Sequence, residues 1–372
     1  MVGVKIRGRV FPSPLRRIGT EKLGLCKGLG KTLLLIHVAS VLRGHWYIVC
    51  RAEQVAKEPV ARTVLGEALV VFRDVSGKVG VLTDRCAHRN LALSRGKVTA
   101  DGLRCAYHGW AWATDGKCAK IPAACGGDCS AIRVKAYLAE EKQGFVWVWM
   151  AEDGEKPEGG PLEFPGMGEK GWRHFVMERE FRAAAFHCVE NFLDVPHTAH
   201  VHRGLFRGDE CKGIEIEVTG GADWIQAEFL GEERMDSWIG KLLVPEGSEI
   251  VHTDRFQLPY VTRVDYRMSE KRQYVVMSQC TPVSENVTRV FTWMAFRFEP
   301  LGGLVNLVFR PFAGRILDQD VDVLREQTED LERTGKAKFL YHETDVIARG
   351  IRDLLDGKSL EGRAPERKKL RV

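Results

Sequence analysis

The sequence has no apolar run long enough to cross a bilayer, no glycine-rich phosphate loop behind a strand, and no internal repeat. Its longest apolar stretch near the start, Leu33 to Leu42, is broken by His37 and Ser40 and falls short of the ~20 residues a spanning helix needs. Gly44-His45-Trp46 is not a small-residue cleavage pattern, so no secretory signal is read there. Gly28-Leu29-Gly30-Lys31 is too short a match to make a nucleotide site. A net charge of only +5 gives no reason to expect nucleic acid as a partner. The ten cysteines lack the dense, even spacing of a small secreted disulfide scaffold, which excludes that class.

Charge is nevertheless uneven. Residues 1–44 carry nine Lys or Arg against a single acid, Glu21, and the tail from Lys358 to Val372 carries six against two. Solvated termini are the ordinary reading, although an acid-poor start also resembles an organellar transit peptide. A cytoplasmic, reducing location is expected, because two cysteines stand beside histidines in a metal-like pattern. The remaining cysteines (Cys26, Cys50, Cys118, Cys125, Cys129, Cys188, Cys211 and Cys280) are expected to be small buried hydrophobes.

Four segments are visible: an extension over 1–44, an all-β unit over 45–150, a linker over 151–171 and a second unit over 172–372. In the first unit, Leu69–Phe72 and Val79–Leu82 flank the turn residues Asp74 to Gly77, Thr114 to Lys117 is another turn, and Phe145–Met150 is β-branched and aromatic. The linker is rich in Gly, Pro and acid. The second unit opens with a strand near 173–180 and a helical stretch from Ala183 to His200. Strand-like alternation runs over 214–310, and Asp318–Gly335 and Ala337–Leu355 read as closing helices. The fold class is therefore α+β.

Chemistry concentrates in two places. The first reads Cys86-Ala87-His88, sixteen residues, then Cys105-Ala106-Tyr107-His108-Gly109-Trp110. Two Cys and two His in close pairs form a four-ligand metal site that suits zinc or an iron–sulfur cluster. Zinc fingers pair Cys with Cys and His with His. Two loops that each supply one Cys and one His instead suit a cluster with two thiolates on one iron and two imidazoles on the other. The second place reads Glu190-Asn191-Phe192-Leu193-Asp194-Val195-Pro196-His197-Thr198-Ala199-His200-Val201-His202. Two imidazoles and one carboxylate on one face of Fe(II) leave open positions for dioxygen. Helical periodicity alone favours His197 with His200, since His202 lies about 140° round from His197 at ~3.6 residues per turn. Pro196 weakens that argument by interrupting the helix. For a distant carboxylate, Asp318, Asp320 and Asp322 are available.

The two loops, with Arg89 after the first His and Leu93-Ser94 beyond it, resemble those of the Rieske non-heme iron oxygenases, terminal (alpha) subunit. Leu91 and Tyr107 stand where respiratory Rieske proteins carry an extra disulfide. The resemblance covers roughly residues 45 to 335 and implies a 2Fe-2S cluster on Cys86, His88, Cys105 and His108. It also chooses among the histidines, because Asn191, Asp194, His197 and His202 match the family register. A mononuclear Fe(II) on His197, His202 and Asp320 follows, with Asp318 as the other candidate and His200 as a pocket-lining or supporting residue. Asp194 is implied to bridge the two centres across a subunit boundary, with Asn191 beside it. The implied catalytic fold is an antiparallel sheet with packed helices (helix-grip type), assembled as a homotrimer. The implied activity is hydroxylation or demethylation of an organic, aromatic or polycyclic substrate, with ring dihydroxylation as the alternative. Electrons would come from a ferredoxin or an NAD(P)H-dependent reductase. A Rieske electron carrier and a zinc-stabilised binding protein are the other classes, and a carrier has no need of the second motif. Trp224, Trp238, Phe256, Tyr260, Tyr266, Trp293 and Phe296 are read as sheet core or pocket lining.

Overall fold

The computed structural model describes residues 42–126, 128–152, 154–202, 213–232, 250–299, 302–335 and 338–371. Cys26, Cys211, Trp238 and nearly all of the N-terminal extension lie outside the described residues. Among the described residues, no helix is long and apolar enough to cross a membrane.

Eleven strands, β1 to β11, run between His45 and Met150 in three small sheets. The hairpin read from the sequence is formed by Glu67–Arg73 and Val79–Thr83, paired antiparallel. Its turn is closed by the Asp74 carboxylate, whose Oδ1 accepts from the Ser76 and Lys78 N–H groups at 2.9 and 3.0 Å. Phe145–Met150 is the central strand of its sheet, between His45–Arg51 and Ala139–Lys142. Nearly every residue of that strand is buried, which explains a continuous apolar run where a half-exposed strand would alternate.

The second unit is built on one eight-stranded antiparallel sheet. Its strands are β12 (Trp172–Phe181), β13 (Gly213–Gly220), β14 (Trp224–Glu232), β15 (Ile250–Gln257), β16 (Val261–Ser269), β17 (Arg272–Ser284), β18 (Val287–Phe298) and β19 (Glu366–Arg371). Their order is β12-β18-β17-β16-β15-β14-β13-β19. One face packs on the helices α1 (Ala185–Phe192), α3 (Gly302–Thr334) and α4 (Ala348–Leu355), and the short α2 (Thr198–Val201) lies against α3. The other face receives the first unit. Trp46, Ile48, Phe145 and Trp147 meet Val261, Met277, Phe291, Trp293 and Ala295 in one apolar cluster. Burying each of these large side chains contributes roughly 1.5–3 kcal/mol. The Gly/Pro-rich linker is pinned to this seam, because Phe164 is buried in it and the Trp46 and Trp293 indoles donate to the Gly159 and Pro165 carbonyls.

Three readings of the sequence are corrected here. Alternation expected as far as residue 310 ends at Phe298, and Gly302–Thr334 is a single helix of 33 residues with Pro311 inside it. The expected helix from Ala337 is only Ala348–Leu355. A C-terminal strand, β19, was not expected. Cys50, Cys118, Cys188 and Cys280 are buried as expected, but Cys125 is exposed and Cys129 half-buried.

Candidate functional site

The first motif forms two loops of the same design. In each, the cysteine carbonyl accepts from the N–H four residues on (Asn90 to Cys86, Gly109 to Cys105), and the cysteine N–H donates to the carbonyl five residues on (Leu91, Trp110). Both turns need a left-handed residue at the same place, met by Asn90 at φ 61° and Gly109 at φ 73°. Each tight turn holds its cysteine inward and its histidine toward the surface. Cys86 and Cys105 are buried, whereas His88 is half-buried and His108 exposed. The two imidazoles meet edge-on at 4.5 Å between ring centroids, and Trp110 stacks on His88 at 4.5 Å. Burial raises the Cys86 thiol, and the neighbouring Cys105 thiol adds to that rise. His88 Nδ1 is buried with no hydrogen-bond partner. Two adjacent buried thiols and an orphaned imidazole nitrogen fit a bridging metal–sulfur group.

The second motif breaks where Pro196 stands. Helix α1 ends at Phe192, Asp194 is extended (φ −94°, ψ 94°), and the chain resumes in a 3-10 turn, Val195–His197, that leads into α2. This break turns His202 toward His197, which a continuous helix would not do. The ring centroids lie 5.1 Å apart. From across the core, α3 supplies Asp320, whose Oδ1 is 3.6 Å from His197 Nε2 and 3.2 Å from His202 Nε2. One donor atom from each of His197, His202 and Asp320 lies within 4.8 Å of the others. Asp320 Oδ1 and His197 Nε2 are buried and make no hydrogen bond, as expected of atoms that face a cation. Burial alone would raise Asp320, but His197 and His202 hold its carboxyl below the ordinary value. Burial alone would lower His197, but Asp320 and Asp194 raise it. Asn191 stands beside Asp320 and also lowers it.

Supporting contacts fix both imidazoles. Gln319 Oε1 lies 3.0 Å from His202 Nδ1, so the amide oxygen accepts the ring proton and leaves Nε2 facing Asp320. His197 Nδ1 donates to the backbone carbonyl of Asp194. An Asp three residues before a histidine could offer its carboxylate in that role. The extended backbone at Asp194 presents the carbonyl instead and leaves the carboxylate 3.8 Å from Nδ1. Burial raises the Asp194 carboxyl despite His197.

The competing acids and the third histidine are elsewhere. Asp318 is exposed and paired with Arg179 at 2.7 Å, and Asp322 is exposed beside Arg325. His200, expected to line the pocket, is exposed and absent from the cavity wall, because it sits on the outer side of α2.

The three donors open on a cavity of about 190 Å³ between the sheet and the helices. Its wall is mostly apolar, with Met177, Val264, Val276, Met294, Phe309 and Leu317 contributing. Of the aromatic candidates, Tyr266 lines it, while Phe256, Tyr260, Trp293 and Phe296 are core. The sequence reading missed a polar cluster in the same wall. His252 and Asp254 point inward from β15, and Glu232 ends β14. His252 Nδ1 lies 2.6 Å from Glu232 Oε2, and its Nε2 lies 3.0 Å from Asp254 Oδ1. Burial would lower this imidazolium, but Asp254 and then Glu232 outweigh it and raise the pKa to about 9. The signal was present, because Ile250, His252, Asp254 and Phe256 occupy the buried phase of an alternating strand.

Comparison with known proteins agrees with this geometry. Residues 45–137 match the Rieske [2Fe-2S] domain, and residues 181–358 match the vanillate O-demethylase oxygenase C-terminal domain. The chain is 25% identical over 316 residues to a vanillate O-demethylase oxygenase subunit from Pseudomonas sp. (strain HR199 / DSM 7063), covering 77% of this chain and 86% of that protein. It is 33% identical over 177 residues to a 3-chlorobenzoate-3,4-dioxygenase oxygenase subunit from Comamonas testosteroni, covering 46% of this chain and 40% of that protein. In fold it is similar to dicamba monooxygenase bound to dicamba, with a TM-score of 0.71 at 21% identity, covering 84% of this chain and 97% of that one. With both matched domains in order and the two histidine-bearing sites formed, the chain belongs to the Rieske non-heme iron oxygenases.

Proposed function

We propose that this chain is the terminal oxygenase of a multicomponent system, hydroxylating or demethylating a small aromatic or polycyclic substrate with electrons from a ferredoxin or an NAD(P)H-dependent reductase. The observation that carries the proposal is the convergence of His197, His202 and Asp320 on an apolar cavity. Cys86, Cys105, His88 and His108 would hold a 2Fe-2S cluster, and the converging triad an Fe(II) ion. When bound, the cluster supplies electrons and the iron supplies the activation of dioxygen.

The protein's own part is to place, orient and keep dry. Gln319 and the Asp194 carbonyl hold the two imidazoles with Nε2 turned toward Asp320. The apolar wall excludes water and accepts a ring or methyl group. The division into 45–150 and 172–372 gives each centre its own scaffold, joined by the 151–171 linker. A homotrimer is part of the proposal. His108 is exposed and Asp194 partly so, which leaves both able to meet a neighbouring copy and lets Asp194, with Asn191 beside it, bridge the centres. The free thiols among the described residues support a reducing, cytoplasmic location.

The test is a screen of aromatic methyl ethers and methylated rings with a surrogate reductase, scored by oxygen uptake and product mass. Loss of a methylene or gain of one oxygen supports the proposal. Gain of two oxygens with two hydrogens makes it a ring dioxygenase. Metal-replete protein that takes up no substrate-dependent oxygen across the panel contradicts the oxygenase reading.

A further inference from the structure

The cluster of Glu232, His252 and Asp254 takes no part in holding the metal, yet two of its members face the cavity. His252 is locked in place. It is 1% exposed and stacked between Phe229 and Tyr266, with ring centroids 4.2 and 3.9 Å away and interplanar angles of 10° and 17°. These rings are cross-strand neighbours in register across β14, β15 and β16, so the stack is set by the sheet itself.

Both ring nitrogens of His252 are spent on acids, at 2.6 and 3.0 Å. An imidazole held this way carries both protons and has no N–H left for a ligand. Asp254 differs. It is 2% exposed, its Oδ1 takes the His252 proton, and its Oδ2 accepts no hydrogen bond among the described residues. The polar atom that the cluster presents to the cavity is therefore a carboxylate oxygen. Asp254 therefore carries the negative charge of this cluster to the cavity wall. The neighbouring polar pair, Ser278 and Thr292, is satisfied internally at 3.0 Å.

We infer that Asp254 determines specificity, selecting substrates that carry a hydrogen-bond donor (a hydroxyl, an amide N–H or an ammonium) and rejecting carboxylates. The inference rests on the reading of this cavity as the substrate site. A donor satisfies Oδ2, which is otherwise a buried acceptor left short of partners. A substrate carboxylate set against Oδ2 meets like charge inside a poorly screened cavity, and His252, the imidazolium beside it, has both N–H groups engaged by acids. A donor held at Oδ2 also fixes which end of the substrate turns away from it.

The test uses three probes that share one ring and one methyl ether: para-methoxybenzyl alcohol, para-methoxybenzylamine and para-methoxybenzoate. Each is titrated anaerobically into the full, metal-replete chain by calorimetry. The alcohol and the amine are expected to bind about tenfold to a hundredfold more tightly than the benzoate, the range set by one hydrogen bond to a charged group. In Asp254→Asn, which keeps the side chain's size, the preference for the amine collapses and the benzoate gains affinity. Should that variant not fold, the wild-type order decides alone. Benzoate binding as tightly as the other two, no preference among the three, or an order unchanged in a folded Asp254→Asn each overturns the inference. Iron content and oxygen uptake separate the two readings. Protein without iron that keeps the order removes the oxygenase proposal only, whereas active enzyme with the order reversed removes this inference only.

Discussion

Replacing Gln319 by Leu takes one hydrogen bond from the metal site and leaves its three donors in place. Gln319 Oε1 and His202 Nδ1 are 3.0 Å apart, and His202 is 2% exposed. In the wild type the amide oxygen keeps the proton on Nδ1, and Nε2 offers its lone pair to the space shared with Asp320, 3.2 Å away. In Gln319→Leu the ring loses the acceptor that holds its Nδ1 proton, and the tautomer with the proton on Nε2, where it blocks the metal, becomes more populated. A buried donor left unsatisfied costs roughly 1–3 kcal/mol. At ~1.4 kcal/mol per decade, Fe(II) affinity should fall about tenfold to a hundredfold, the usual range for such supporting contacts. Gln319→Glu keeps an acceptor and adds charge, so its affinity should match or exceed the wild type. Chelator competition for Fe(II) measures the effect, and the cluster's visible absorbance serves as an internal control because the two sites share no residue. A Leu variant that holds iron as tightly as the wild type would refute the role given to Gln319.

Single replacements of His197, His202 or Asp320 by Ala should each abolish the mononuclear iron while the cluster spectrum persists, and His200→Ala should leave both intact; metal analysis of the four variants reads this directly. Asp194→Asn should keep both centres filled but slow single-turnover oxidation of the reduced cluster by at least about tenfold, and a wild-type rate removes the bridging role. A pH prediction concerns Glu67, which Tyr137, Arg43 and Lys135 hold below the ordinary value of 4.5 against the effect of burial. A depressed carboxyl stabilises the fold above its ordinary value and loses that contribution as pH falls through its folded value. Glu67→Gln should therefore unfold more easily by ~1 kcal/mol at neutral pH, a figure already reduced for partial exposure. The gap should close in acid, and thermal melts at several pH values would show it; a gap that widens in acid contradicts the assignment.

What could be read from the sequence followed local rules. Phe145–Met150 and the hairpin around Asp74–Gly77 were legible because β-branched runs and turn residues act within a few positions. The metal-site residues were legible as residue types, and the family resemblance, not helical periodicity, chose His202 and Asp320 among them. His202 displaces His200 because Pro196 breaks the helix, and a distant element, α3, brings Asp320 and not Asp318 to the pair. Helix α3 was cut short in the sequence reading because Gly302, Gly303 and Pro311 have low helix propensity, which packing against β12 and β18 overrides. Strand β19 was hidden by its charge. Of Glu366–Arg371 only Leu370 is buried, and Arg367 pairs outward with Glu217 at 3.0 Å, the pattern of a guarded sheet edge. His252 and Asp254 stood in the buried phase of a strand, but their partner Glu232 comes from another, and only the fold joins them.

Iron and acid-labile sulfide per chain, measured with the EPR spectrum of the reduced protein, test the central claim most directly. Two iron centres on Cys86, His88, Cys105, His108 and on His197, His202, Asp320 predict about three irons, about two sulfides and the low mean g value of a histidine-ligated cluster. Stoichiometric zinc with no sulfide and no such signal would contradict it.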